Sequence, residues 1–368
     1  MNGRQRVLSA LSLEIPDRVP HLELAYNEES VIKIARCFTE DLPRPDYIQR
    51  MDFESRLKLF DAALLVVEKL DVDGLTLRIF PETQAVDEEH FRDDWGVTFL
   101  LSPHGEPVVV DGPIRTEADL EDYRPPRARE SDLAALRYCA HRFDGARANV
   151  LSMQDPFRRS WNLLGGMQNL LICYGTNPKL VHRIARIVTD YTLDAIALGA
   201  ELGADLISMD GDLAHESGMI MSPRHFREFI KPYYEEIVEF VHARGLKIFK
   251  HTDGNHWKVM EDFIEVGFDG IHPIQPQSLD LAEVKRQIGD RICLLGNIDC
   301  RETLVTKSIH EVEEEVRRAI RAAAPGGGYI LSSSNTIHPG VRAENYIAMV
   351  KATHEYGVYE GGAGRPAG

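Results

Sequence analysis

Eight short apolar runs, each ending in a polar cluster and separated from the next by helical spacing, constrain this chain more than any other feature. Residues 246–256, Leu-Lys-Ile-Phe-Lys-His-Thr-Asp-Gly-Asn-His, show the unit best. A mostly apolar, alternating run stops abruptly in polar residues around a glycine. A buried parallel strand that ends at a working surface has this form. Side chains two apart on a strand share a face, so His251 and Asp253 can reach one ligand together.

The other strands are expected at 19–25, 73–79, 149–155, 204–212, 270–275, 292–299 and 327–335. Helical spacing covers 3–13, 28–38, 55–70, 131–142, 157–200, 222–244, 256–267, 280–288, 308–324 and 342–356. Ser222 before Pro223 is a sound helix start. Alternating strands and helices imply a parallel sheet, and eight units imply an α/β (β/α)8 TIM barrel over residues 1–357. The polar, proline-rich stretch 81–130 is expected as an insertion, with a hairpin about His104-Gly105, covering one mouth of the barrel. Residues 358–368 are expected as a mobile tail. An open doubly wound sheet is the alternative fold. No G-x-G-x-x-G follows the first strand, which speaks against its dinucleotide-binding form. Gly326-Gly327-Gly328 precedes a strand and reads as a turn.

The chain has 368 residues, 43% of them hydrophobic and 27% charged, enough for a large core. Its net charge of −16 argues against nucleic acid or an anionic membrane as partner. Five cysteines, with no C-x-x-C pair, suit reduced thiols in a cytoplasmic protein. The N-terminus lacks a signal peptide's apolar core, and no apolar run reaches transmembrane length.

In such a barrel the chemistry sits at the C-terminal ends of the strands. Taken in order, those tips carry Glu23 and Tyr26; Arg78; Gln154 and Asp155; Asp210 and Asp212, with His215 and Glu216 beyond; His251, Asp253 and Asn255; His272 and Gln275; Asn297, Asp299 and Cys300; and Asn335 and His338. Single polar tip residues often cap the next helix, and Asp280 and Thr303 are read that way. The convergence of histidines and carboxylates is harder to explain by capping. Asp212, His251 and Asp253 are the candidate catalytic residues and could together hold zinc or a harder divalent cation. The same set could do acid–base chemistry, with a carboxylate orienting His251. Tyr26, Arg78, Gln154, His272, Gln275, Asn297, Asp299 and Asn335 are the candidate substrate-binding residues. Cys300 is either a soft ligand or nucleophile, or a side chain turned into the helix layer. His338, beside Pro339, is read as structural.

Several segments carry a family resemblance. Arg4-Gln-Arg-Val-Leu-Ser-Ala-Leu with Pro16-Asp-Arg-Val-Pro, Asp94-Trp-Gly, Gly211-Asp-Leu-Ala-His-Glu-Ser-Gly with Met221-Ser-Pro, and His251-Thr-Asp-Gly-Asn resemble the uroporphyrinogen decarboxylase superfamily. So do His272-Pro-Ile-Gln-Pro, Leu295-Gly-Asn-Ile-Asp and Pro325-Gly-Gly-Gly-Tyr-Ile-Leu-Ser-Ser-Ser-Asn. The resemblance covers about residues 3–357 and implies a (β/α)8 barrel, with a homodimer as an assembly that related proteins adopt.

Two chemistries follow from it. Uroporphyrinogen decarboxylases hold substrate carboxylates with an arginine-rich segment after the first strand. They hold pyrrole N–H groups with an aspartate after the second. Here Leu22-Glu-Leu-Ala-Tyr-Asn and Leu77-Arg-Ile-Phe-Pro stand in those places. Cobamide-dependent methyltransferases move a methyl group between a corrinoid protein and a small acceptor. They bind zinc through His-x-Cys after the fifth strand and a cysteine after the eighth. His251 keeps that histidine, Asp253 replaces the first cysteine, and Asn335 or a neighbour replaces the second. The resemblance therefore implies a methyltransferase-like enzyme with a corrinoid-protein partner. Its harder ligands would favour an oxygen substrate such as a methoxylated compound. A carboxy-lyase and a non-catalytic ligand-binding barrel are the alternatives.

Overall fold

The computed structural model describes residues 1–102 and 107–359. The hairpin expected about His104-Gly105, and the tail beyond residue 359, lie outside the described residues. Seven strands form one parallel sheet: Gly74–Arg78, Ala148–Gln154, Leu206–Asp210, Lys247–His251, Gly270–His272, Cys293–Ile298 and Tyr329–Ser333. Each pairs with its neighbour in sequence, and each connection carries helices, so the sheet curls beneath a helical layer.

The first expected strand, 19–25, forms no regular ladder. Pro20 has no N–H to donate, and His21 makes only an isolated parallel bridge to Leu331. The segment still touches both edge strands. Leu331 N donates to Pro20 O (2.9 Å) and Leu22 N to Leu331 O (3.1 Å), while Asp73 N donates to His21 O (3.1 Å). Ala25–Tyr26 then pairs in parallel with Thr336–Ile337.

Alternation along the strands separates two apolar layers. Leu22, Leu24, Val150, Leu206, Phe249, Leu295 and Ile330 pack against one another on the concave side. Leu151, Ile207, Ile248, Ile271, Leu294 and Leu331 face the helices. Buried on both faces, the strands have no solvated side, which explains their near-continuous apolar runs.

Two expected helices are broken. The region 157–200 holds Pro156–Leu163, Met167–Thr176 and Pro178–Glu201. The first break falls where Gly165 and Gly166 take φ of +72° and +142°. The second falls at Asn177, whose side chain caps the helix that Pro178 begins. The region 222–244 divides into Pro223–Phe229 and Lys231–His242 at Ile230, just before Pro232. Ser222 caps the first piece through His225 N (3.1 Å) as expected.

The insertion holds more order than a loop and hairpin. Thr83–Ala85, His90–Asp93, Thr98–Leu100 and Val108–Asp111 make a four-stranded antiparallel sheet. Asp93 pairs with Arg159 at 3.0 Å, and the Arg159 guanidinium lies 4.9 Å from the centre of the buried Trp95 ring. These contacts fix the insertion to the helix that follows Gln154, at the C-terminal end of the sheet. At the opposite end, Asp73 accepts from Arg18 Nη1 (2.7 Å), Arg6 Nη1 (3.1 Å) and His21 N (2.8 Å). Val358 pairs with Arg18 there, and Tyr359 N donates to Asp17 O.

Candidate active site

The C-terminal ends of the strands open into a cavity of about 1810 Å³. Asp212, His251 and Asp253 meet in its wall, each offering a ligand atom within 4.8 Å of the other two. Asp212 follows the strand Leu206–Asp210, and Asp253 follows Lys247–His251. Parity puts His251 on the concave side with Phe249. Asp253 N donates to Asp212 Oδ1 at 3.1 Å, which holds the two carboxylates side by side.

The hydrogen-bond network assigns the histidine tautomers. His272 Nε2 lies 3.2 Å from the Ser333 carbonyl, which can only accept. That nitrogen carries the hydrogen, and His272 Nδ1 is an acceptor. His251 Nδ1, 2.9 Å away, is therefore the donor. The lone pair on His251 Nε2 then faces Asp212 Oδ1 at 3.6 Å. Glu23 steadies the far end, accepting from Ser333 N (3.1 Å) and Ser333 Oγ (2.6 Å).

Burial, and then the positive charges of Lys250, Arg78 and Arg158, hold the His251 imidazole well below its ordinary range. Burial, reinforced by the charge of Asp212, pushes the Asp253 carboxyl up to about 7. Asn335 Nδ2 donates to Asp253 Oδ2 at 2.6 Å and works against that rise. Asp253 Oδ1 is buried and has no hydrogen-bond partner among the described residues. A neutral imidazole lone pair facing two carboxylates is unfavourable unless a cation or a proton lies among them. This donor set of one nitrogen and two carboxylates fits a divalent metal of the zinc or harder class.

Tyr26, Arg78, Gln154, Gln275 and Asn335 also line the cavity. Tyr26 Oη meets Tyr346 Oη at 2.6 Å. Gln154 Oε1 accepts from Asn162 Nδ2, and Gln275 Oε1 accepts from Gly254 N. His272 stands behind His251 and orients it. Asn297 and Asp299 do not join the set. Asn297 Nδ2 donates to Ile274 O (2.9 Å), while Asp299 Oδ1 accepts from Arg301 N (2.7 Å) and Glu302 N (3.2 Å), which makes it a loop cap. Cys300 is buried beside Ser334, whose hydroxyl points at its sulfur (3.4 Å), and burial pushes its thiol up to about 11. His338 is tied to Cys300 O and Gly340 N, as a structural residue would be.

Arg158 is an addition to the wall. It lies against Trp161 (4.7 Å) and 3.7 Å from Asp212 Oδ2. The sequence offers no signal for it beyond its place just after the strand tip Gln154-Asp155.

The sequence model of the family described as uroporphyrinogen decarboxylase (URO-D) matches residues 89–356. The chain belongs to that family. Uroporphyrinogen decarboxylase from Alkalilimnicola ehrlichii is 27% identical over 76% of this chain and 78% of its own length. A methylcobamide:CoM methyltransferase from Methanosarcina barkeri is 31% identical over 42% of this chain and 43% of its own. Among solved structures, a methyltransferase from Methanosarcina mazei superposes with a TM-score of 0.75 at 21% identity, covering 97% of this chain and 99% of that one. That likeness concerns the fold. Among the described residues no helix is long and apolar enough to cross a membrane.

The buried histidines make stability acid-sensitive. Burial lowers His272 to about 3, and His256 and His354 to about 4, from 6.5. Unfolding returns each to its ordinary value, so the unfolded chain binds more protons below about 6.5. Their contribution is complete above that pH and is lost as pH falls toward 4. Asp253 and Asp94, raised to about 7 and about 6, act in the opposite sense over the same range, so the histidines are read by difference: the urea midpoint should fall less between pH 7.5 and pH 5 in His354→Gln than in wild type. An equal or steeper fall in the variant would contradict this account.

Proposed function

We propose that this family member is a methyltransferase-type enzyme. It moves a methyl group between a small, methoxylated substrate and a corrinoid carried by a partner protein. The observation that carries the reading is the cluster of Asp212, His251 and Asp253, each offering a ligand atom within 4.8 Å of the other two, with Asp253 Oδ1 buried and unpartnered among the described residues. These three residues would hold a divalent metal, which supplies Lewis-acid polarisation of a substrate oxygen.

The chain's own residues do the rest. His272 fixes the tautomer and ring plane of His251. Asn335 fixes one oxygen of Asp253, and the other is left without a hydrogen-bond partner among the described residues. Arg78, Gln154 and Gln275 line the space in which a small substrate would be oriented. Asp253, near neutrality in its pKa, can hold a proton at its oxygen when no cation is present.

A decarboxylase reading is favoured by the curated relatives that cover most of the chain. Against it, the first tip carries Leu24, Ala25, Tyr26 and Asn27 where a polycarboxylate would need arginines. Arg159 is already committed to Asp93. A demethylation assay with methoxylated aromatics and a reduced corrinoid protein, run beside uroporphyrinogen, tests both. Methyl transfer to the corrinoid without loss of uroporphyrinogen carboxyls is expected. Decarboxylation would overturn the proposal. Unchanged activity in Asp212→Ala and Asp253→Ala would place the chemistry elsewhere.

A further inference from the structure

Behind the site lies a charged cluster that touches neither the cavity nor solvent. Lys250 precedes His251 in the strand, so its side chain points the opposite way, toward the helices. Lys250, Asp155 and Tyr234 are each fully buried. Lys250 Nζ lies 3.0 Å from Asp155 Oδ2. It also donates to Gly211 O (2.7 Å), to Met209 O (3.3 Å) and to His251 O. Tyr234 Oη donates to the same Asp155 oxygen, and burial with the neighbouring Asp155 charge keeps that phenol protonated. The other oxygen of Asp155 accepts from Arg158 N at 2.7 Å, capping the helix Pro156–Leu163. Asp155 N donates to Asp210 O (3.0 Å), and Gly211 N donates to His251 O (3.3 Å).

One ammonium thus ties together the ends of three strands. Through Gly211 it holds the backbone that carries Asp212, and through its own neighbour it holds His251. Through Asp155 it holds the helix start that carries Arg158. The packing leaves no slack: a Cβ on Gly211 would stand 2.2 Å from an Asp155 oxygen. A buried ion pair is a poor source of net stability. Its directional bonds, however, fix the relative position of groups that must converge.

We infer that Lys250, with Asp155 and Tyr234, is the positioning residue of the metal site, setting the separation of Asp212 and His251 from behind. This rests on the metal-binding reading of the three-residue cluster, and it adds residues that make no contact with ligand. Loss of the ammonium would leave the ligands chemically intact and spatially uncoupled.

The test compares Lys250→Met with wild type and with Asp73→Asn, a buried-charge variant at the opposite end of the sheet. Zinc affinity is read by competition with a chromophoric chelator. Amide exchange of the metal-free proteins is read by mass spectrometry over 206–215 and 247–256. Lys250→Met should bind zinc about 10–100-fold more weakly, the range for loss of an orienting partner, and should exchange at least about 10-fold faster in both peptides. Asp73→Asn should leave zinc affinity unchanged, and should speed exchange in these peptides by no more than its own loss of global stability, measured by denaturant titration, accounts for. If Lys250→Met does not fold, Tyr234→Phe removes one donor to Asp155 and should move both readouts in the same direction, by less.

Wild-type exchange in Lys250→Met, or in Tyr234→Phe if that variant takes its place, overturns the inference. So does zinc affinity within about twofold of wild type. Faster exchange in a protein whose wild type binds no zinc, manganese, iron or cobalt would leave the positioning role standing and remove the metal reading.

Discussion

His251→Ala is expected to empty the metal site. Protein purified without chelator should carry close to one equivalent of zinc, iron or manganese by plasma mass spectrometry, and the variant should carry none. The expected loss of affinity is more than about 100-fold, beyond what a change outside the ligand set costs. The imidazole is the one nitrogen donor, and its lone pair is aimed by a chain running through His272 to Ser333 and Glu23. Without it, Asp212 and Asp253 face each other across the cavity wall with weaker chelation and stronger mutual repulsion. Folding should survive, because the cavity absorbs the missing ring and His272 keeps its bond to Ser333. Equal metal content in wild type and variant, or none in either, would sink the metal reading.

Asp73→Ala should be the more damaging change to the fold. Asp73 is fully buried and accepts from Arg18, Arg6 and the backbone of His21. Its backbone N–H also returns a bond to His21 O. Truncation removes the counter-charge of the nearly buried Arg18 and loosens the segment that joins the two edge strands. Breaking one partner of such a pair costs about 3–5 kcal/mol. Denaturant titration should show that loss as a lower midpoint with little change in slope, and metal affinity should be unaffected. A loss under about 1 kcal/mol would mean that solvent or Asp71 compensates for Asp73.

Both expectations rest on features of unequal visibility in the sequence. The seven sheet strands were legible because both of their faces are buried, so each is a compact apolar run with a clear stop. The first run has the pattern of a regular strand but forms none: Pro20 cannot donate, the His21 N–H goes to Asp73, and the Glu23 carboxylate goes to Ser333. The sheet of the insertion is not legible in the sequence, because strands of three or four residues are too short to show a period. Gly165-Gly166 and Pro232 mark helix breaks, but the apolar spacing runs on across them, so the pattern alone reads as one helix.

The site shows the same division. Strand tips could be listed from sequence, and His251 with Asp253 followed from their spacing alone. Convergence could not be read that way. Asn297 and Asp299 sit at a tip as polar as the others, yet one bonds Ile274 and the other caps its own loop. Lys250 carries no signal in the sequence, because a lysine inside an apolar strand has no visible partner until Asp155 and Tyr234 are brought beside it.

The fate of sulfur in this fold has a chemical consequence. Cys139 and Cys293 are buried in the packed layers, and Cys300 turns to Ser334. Burial keeps these thiols protonated, with Cys139 near 12 and Cys300 near 11. The converging donors are nitrogen and oxygen, which peroxide and alkylating agents attack far less readily than a thiolate. Oxidants that would destroy a centre built on cysteine ligands find no thiolate among Asp212, His251 and Asp253. A site of this composition is expected to outlast a thiolate centre on exposure to air.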